Sequence, residues 1–446
     1  MKHFPLVLLL LFPFLLLAQT DAPILTLDLG MHTAKINSLD TDAAGKYVLT
    51  SSKDKTAKLW DAQTGKLVQT YRPPIGKGDE GMVYAVALYP GGKYVAMGGW
   101  SAYYPKNKTM YIYIFNTQSG MLVHRIGGLA NVIRDLEFSK DGQYLVSALG
   151  GNNGIRIYNT TDWSLKEQDT DYGAQSENVA FAPNGGLATV ADDGYLRLYN
   201  QRFQFQKKVE TTGGKKPFSL SFTPDGKRLA LSYYDSPTIQ VLDAITLQVL
   251  YEPDISGATT LNDKFETVSF SEDGQELIAG GLYSEKQADG KYWQMIRIWK
   301  NQGKGNYQDY PAADNTITDI KYLKNGNIVF AGGQPDWGIL DRETGKKIIY
   351  HAPPLNDLSK FDGSHFKINK DGSQIGLTPI NKNPFSFDLY SRQLTLQSTT
   401  LPSYQANLGN LVPSALSFIY PLICSIGMSL VNPSNFQLSF FTKHLL

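Results

Sequence analysis

An all-β fold, and within that class a β-propeller of four-stranded antiparallel blades, is what this 446-residue sequence predicts. Three observations carry the expectation. A phrase consisting of an alternating apolar strand, a short turn ending in Gly and a second strand recurs through the chain. "INSLDTDAAGKYVLTSS", "IRDLEFSKDGQYLVSAL" and "FETVSFSEDGQELIAGG" are three of its copies. After each turn a third strand closes on an aromatic residue or Leu followed by a polar residue. Between these features no helical period shows, and Tyr and Phe, with 26 and 21 copies, favour strands.

The repeats follow in order. Their turn glycines are Gly45, Gly92, Gly142, Gly185, Gly226, Gly274, Gly326 and Gly372, each where a tight hairpin needs positive φ. The pairs that close the third strands are Trp60–Asp61, Phe115–Asn116, Tyr158–Asn159, Tyr199–Asn200, Leu242–Asp243, Trp299–Lys300, Leu340–Asp341 and, more loosely, Phe387–Asp388. A fourth strand follows each pair, as in "GKLVQTY". Units of this length with four strands each are blades, which bury their flanks against one another and so protect their edges.

Repeat 1 contains Gly30-Met31-His32, then Ser52-Lys53-Asp54, then Trp60-Asp61. On these residues the chain resembles the WD-repeat family, over roughly residues 24–395. The resemblance implies a hydrogen-bonded structural tetrad of His32, Ser52, Asp54 and Trp60 within one blade, because a buried indole N–H and an inward Asp both need partners. Repeat 4 keeps Asp193 and Tyr199 without a matching His, so the tetrad is assigned to repeat 1 alone. In WD-repeat propellers an N-terminal strand typically completes the last blade, a role open to "APILTLDLG" at 22–30. Seven blades (24–350) are favoured, because repeat 8 (351–400) is the most divergent; eight are possible.

The termini read differently. Lys2, the apolar run Phe4–Leu17 and Ala18–Gln19 have the layout of a signal peptide over residues 1–19, which makes the protein exported, periplasmic or secreted. With Cys424 as its only cysteine, it cannot use internal disulfides. Residues 401–446 form an atypical apolar tail; its stretch 413–431 is interrupted by Pro413, Pro421 and Gly427. A truncated or out-of-frame end and a membrane segment both fit it.

The chain carries 42 Lys plus Arg against 41 Asp plus Glu, so no basic excess points to nucleic acid. Its six histidines are scattered without metal-ligand spacing, and no nucleophile motif accompanies Cys424. No cofactor, metal or catalytic residue is expected. The carboxylates of "SEDGQE" and "ADDGYL" read as turn residues and not as calcium ligands. Lys58, Arg156, Arg197 and Arg297 read as residues of solvated strand faces.

Spacing singles out two repeats. From turn Gly to closing pair, six repeats take 14 to 16 residues, whereas repeat 2 takes 23 and repeat 6 takes 25. The blade-to-blade connections before both are also long. These two kinds of connection leave a propeller on the same face. They bring Trp100, Tyr103, Tyr104, Tyr283, Tyr292 and Trp293 there, with Trp337 of "GGQPDWG" nearby. Aromatics among polar loop residues suit a protein or peptide partner. The expected function is therefore an exported, non-catalytic scaffold. An alternative is the regulatory propeller of a larger bacterial effector such as a caspase-like peptidase. A third is a propeller enzyme with a central-channel site.

Overall fold

The computed structural model describes residues 30–351, apart from Lys77 and residues 103–108, together with the short stretches 366–368, 373–377, 385–388 and 394–396. The chain divides into two compact units, one of which is Gly30–Pro354. That unit is a seven-bladed β-propeller, and each blade is an antiparallel sheet whose strands pair in sequence order, except that in blade 6 the extra strand Ser284–Lys286 is passed over, so that Leu277–Gly281 pairs with Tyr292–Trp299. In the other unit, Phe366–Ile368, Gln374–Leu377, Phe385–Asp388 and Leu394–Leu396 pair as a further four-stranded antiparallel sheet.

Blade 1 shows how the repeat folds. Its strands are Ile36–Thr41, Tyr47–Ser52, Ala57–Asp61 and Leu67–Tyr71. Alternation puts Leu49, Leu59 and Tyr71 against blade 2, in one cluster with Val83, Val86 and Val95. The opposite flank puts Ile36, Leu39, Val48 and Trp60 against Val329, Ala331 and Trp337 of blade 7. The outermost strand, Leu67–Tyr71, is the least buried of the four.

Seven of the turn glycines, Gly45 to Gly326, have positive φ as their positions require; Gly372 lies outside the described residues. Gly142 sits at φ +71°, and a Cβ there would meet the ring of Tyr89 at 2.5 Å. In the last turn of the blade, three repeats put a large side chain where others have Gly. Trp163, Phe203 and Leu247 adopt φ near +60°. Phe203 and Leu247 are buried, so apolar contact offsets the backbone cost.

The first strands lie side by side around the ring, and the seventh meets the first. They are Ile36–Thr41, Met82–Leu88, Ile133–Phe138, Ser176–Phe181, Pro217–Phe222, Phe265–Phe270 and Ile317–Tyr322. Blade 7 has four strands within residues 317–351, and the segment 22–29 lies outside the described residues. Among the described residues, side chains close the ring. Trp60 and Trp337 meet at 5.5 Å, Trp337 stacks on Tyr350 at 4.4 Å, and the amide of Leu39 donates to Asp319 Oδ2 at 2.8 Å.

Candidate functional site

Three sets of polar and aromatic residues stand out: a brace inside blade 1, the face with the long connections, and the wall of the central channel.

The brace brings His32, Asp54 and Trp60 together through Thr50. His32 Nδ1 donates to Asp54 Oδ2 at 2.8 Å, and His32 Nε2 and the Thr50 hydroxyl share a hydrogen bond at 2.7 Å. The Trp60 indole N–H donates to Thr50 Oγ1 at 2.8 Å. The hydroxyl in this chain is that of Thr50, where the sequence pointed to Ser52. Positions 50 and 52 share one side of the strand, but the indole reaches only the nearer. Ser52 instead donates to the carbonyl of Ala34 at 2.8 Å and accepts from the amide of Asp54 at 3.0 Å. Burial alone would push the Asp54 carboxyl up. The His32 charge, hydrogen bonds from His32 and Thr56, and Lys58 outweigh it and hold the carboxyl well below the usual range.

On the long-connection face, blade 6 carries an extra strand, Ser284–Lys286, which pairs with the start of Tyr292–Trp299. The insertion is thus a projecting β-hairpin. Tyr292 is exposed to 64% on it. Trp293 is half-buried, donates to Asp289 Oδ2 at 3.3 Å and lies beneath the Lys347 ammonium. Burial pulls that ammonium down to about 8, against the nearby charges of Asp289 and Asp314. Trp100 is half-buried at the end of its strand and packs on the core of blades 2 and 3. Tyr103 and Tyr104 lie outside the described residues.

Two aromatics expected on this face are instead buried. The hairpin folds back over Tyr283, whose ring packs on Phe265 at 5.3 Å and whose hydroxyl donates to Glu285. Trp337 belongs to the strand Asp336–Leu340 and not to a loop, so alternation turns it into the junction of blades 7 and 1.

The channel wall is the site that the sequence left unmarked. The first strands enclose a cavity of about 450 Å³. Each presents an unpaired edge to it, and side chains of one blade satisfy amides of the next. The amide of Leu88 donates to Asp40 Oδ2, Val179 to Asp135 Oδ2, Phe181 to Glu137 Oε2 and Leu220 to Asn178 Oδ1, at 2.8 to 3.1 Å. Val268 and Phe270 donate to Ser219 and Ser221. Where the preceding blade has only Ala85 and Ala87, Leu136 turns to Asp135 Oδ1 of its own strand, at 2.8 Å. Ile320 does the same with Asp319 Oδ1. Lys321 pairs with Asp40 at 2.6 Å across the junction of blades 7 and 1.

Burial pushes Asp135 up to about 6, partly offset by the Val179 amide. It pushes Glu137 up to about 8 and Asp319 up to about 6, in both cases against the charge of Lys321. The signal for this wall was present as polar residues at alternate positions of the first strands, 38 and 40, 135 and 137, 319 and 321. Which neighbour they meet is set by the ring and not by the strand.

Among known proteins, the family described as "WD domain, G-beta repeat" matches residues 23–61 and 120–159. Fold and matches together support a WD-repeat propeller. WD repeat-containing protein SL1-17 of Schistosoma mansoni is 26% identical over 173 residues, which cover 38% of this chain and 52% of that protein. An uncharacterized WD repeat-containing protein of Synechocystis sp. is 24% identical over 174 residues, 39% of this chain and 46% of the relative. Eukaryotic translation initiation factor 3 subunit I of Culex quinquefasciatus is 30% identical over 148 residues, 30% of this chain and 41% of the relative. The aligned part of the chain spans about half the length of these relatives, or less.

Other blades of the ring replace the brace with different chemistry. In blade 4, Tyr172 stands where blade 1 has His32, and its hydroxyl meets those of Thr189 at 2.6 Å and Tyr199 at 2.9 Å. In blade 6 the Trp299 indole donates to the carbonyl of Asp254 at 2.8 Å. Basic residues expected on solvated faces are buried in this layer: Lys58, Arg197 and Arg297 are each 1% exposed. Each faces a neighbouring carboxylate, hydroxyl or ring, which is what makes burial tolerable. Arg197 holds Asp193 at 2.6 Å and lies on the Tyr172 ring at 4.0 Å. Arg156 is half-buried and donates to the carbonyls of Asn153 and Ile155. Asp273 of "SEDGQE" accepts from Ser271 and the Gln275 amide, as a turn residue does.

Proposed function

We propose that the protein is an exported, non-catalytic scaffold that binds a protein or peptide partner through the face carrying the long connections of blades 2 and 6. The observation that carries this reading is the projecting hairpin with its exposed Tyr292, beside the half-buried Trp293. Blades 2 and 6 are three steps apart in a seven-bladed ring, the widest separation it permits, so their loops flank the face from opposite sides. One relative is named as a subunit of a translation initiation factor, and a role as a component within an assembly is in keeping with a scaffold.

A photo-crosslinking residue at Tyr292, compared with one at Phe205 on the outer strand of blade 4, tests the reading in cells that make the protein. Tyr292 is expected to give a discrete polypeptide adduct that Phe205 does not. Equal labelling at both positions would remove the special status of the face.

Export rests on Lys2, the run Phe4–Leu17 and Ala18–Gln19, which lie outside the described residues. Sequencing the N-terminus of the protein recovered from outside the cytoplasm should find a start near Thr20. A product that keeps Met1 would refute cleavage. Among the described residues no helix is long and apolar enough to cross a membrane.

A further inference from the structure

The channel wall holds more polar groups than the ring needs. Glu137 uses only Oε2, on the amide of Phe181; among the described residues Oε1 takes no hydrogen bond. Thr267 is 4% exposed, lines the cavity and makes no side-chain hydrogen bond among the described residues. In blade 6 it occupies the place where Asn178, Ser219 and Asp319 serve the next blade. The amide it would have served, that of Ile320, is taken by Asp319 instead. A hydroxyl on an otherwise buried side chain that lines a cavity and serves no neighbour is free to meet a group bound there.

The charges are also uneven. Asp135 and Glu137 stand on blade 3, Asp319 on blade 7 and Asp40 on blade 1, with Lys321 as the one cation at this depth. Lys321 is committed to Asp40. Asp42, Glu272, Lys140 and Lys324 also line the cavity, two charges of each sign. Blades 3 and 7 are three steps apart, so Asp135 and Glu137 lie across the channel from Asp319. Between them blade 2 lines the cavity with apolar residues, Val86, Leu88 and Pro90. No three His, Cys, Asp or Glu side chains among the described residues are placed to hold a metal ion.

We propose that the central channel binds a small organic dication, with one primary ammonium group on Glu137 and Asp135 and the other on Asp319, and with the Thr267 hydroxyl as a further acceptor. The cavity is of the size that small-molecule sites have. The site does not depend on the loop face or on its partner. Glu137 is raised to about 8, and Asp135 and Asp319 to about 6. A cation binds the ionised carboxylates, so below these values binding must expel protons. Affinity therefore falls as the pH is lowered.

Titration calorimetry of the full chain with 1,4-diaminobutane tests this, with 1,4-butanediol and succinate as the neutral and anionic counterparts. One diamine is expected to bind per chain at about pH 8, at least about tenfold more weakly at about pH 6, with proton release seen as a dependence on buffer ionisation enthalpy. Neither counterpart should bind. Glu137→Gln keeps an acceptor for Phe181 and should weaken the diamine by about tenfold or more. Thr267→Val, which breaks no contact within the protein, should weaken it about threefold and serves if the first variant does not fold. Binding of succinate, equal affinity at both pH values, or full affinity in the folded variants would overturn the proposal.

Discussion

Asp309→Ala is expected to be the most damaging single substitution in the ring, lowering stability by about 3–5 kcal/mol. Arg297 is 1% exposed, and its guanidinium meets Asp309 twice, at 2.7 and 2.6 Å, from directly across the sheet. It lies 3.7 Å from the centre of the Tyr307 ring, with Phe265, Tyr283 and Trp299 around it. Without Asp309 the cation would be left among rings, with the carbonyl of Asp254 as its remaining charge-independent partner. Arg297→Met should cost less than Asp309→Ala, because it removes the charge and keeps a chain that fits between the rings. Denaturant midpoints decide between them. A methionine variant as unstable as the alanine one would mean that the pair is not the source of the effect.

Asp54→Ala should lower stability by about 1–3 kcal/mol near neutral pH. It strips partners from His32 Nδ1, the amides of Thr33 and Thr56 and the Thr56 hydroxyl. The pH dependence has a definite sign. A carboxyl held below its unfolded value stabilises the fold above that value, about pH 4, and loses its contribution as the pH falls through the folded value. The gap between wild type and variant should therefore narrow below about pH 4. Thermal unfolding at a series of pH values reads this directly, and a gap that widens in acid would contradict the assignment.

The propeller was legible because a hairpin turn needs Gly in one place and a blade needs its closing aromatic at one distance from it. Gly45 to Trp60 set that interval, and repeats 2 and 6 departed from it between the strands that end at Trp100 and begin at Met110 and at the projecting hairpin. Side-chain direction was less accessible. "GGQPDWG" looked like a loop, yet its strand begins at Asp336, and one residue of register separates an exposed Trp337 from a buried one. Arg297 looked like a surface cation because its partner, Asp309, lies on another strand. Thr50 and Ser52 differ only by how far an indole can reach. The channel was hidden for a similar reason. Asp135 and Val179 are 44 residues apart, and only the closed ring puts an amide of one blade against a carboxylate of another.

The junction between the last blade and the first has a mechanical meaning. A ring whose ends share a strand can be parted only by unzipping a ladder of backbone hydrogen bonds. Here, among the described residues, the two ends are clasped by Trp60 against Trp337, Asp319 to Leu39 and Lys321 to Asp40. Such a ring resembles a split washer. Parting these clasps would break no strand pairing within the seven sheets and would open the ring onto the channel.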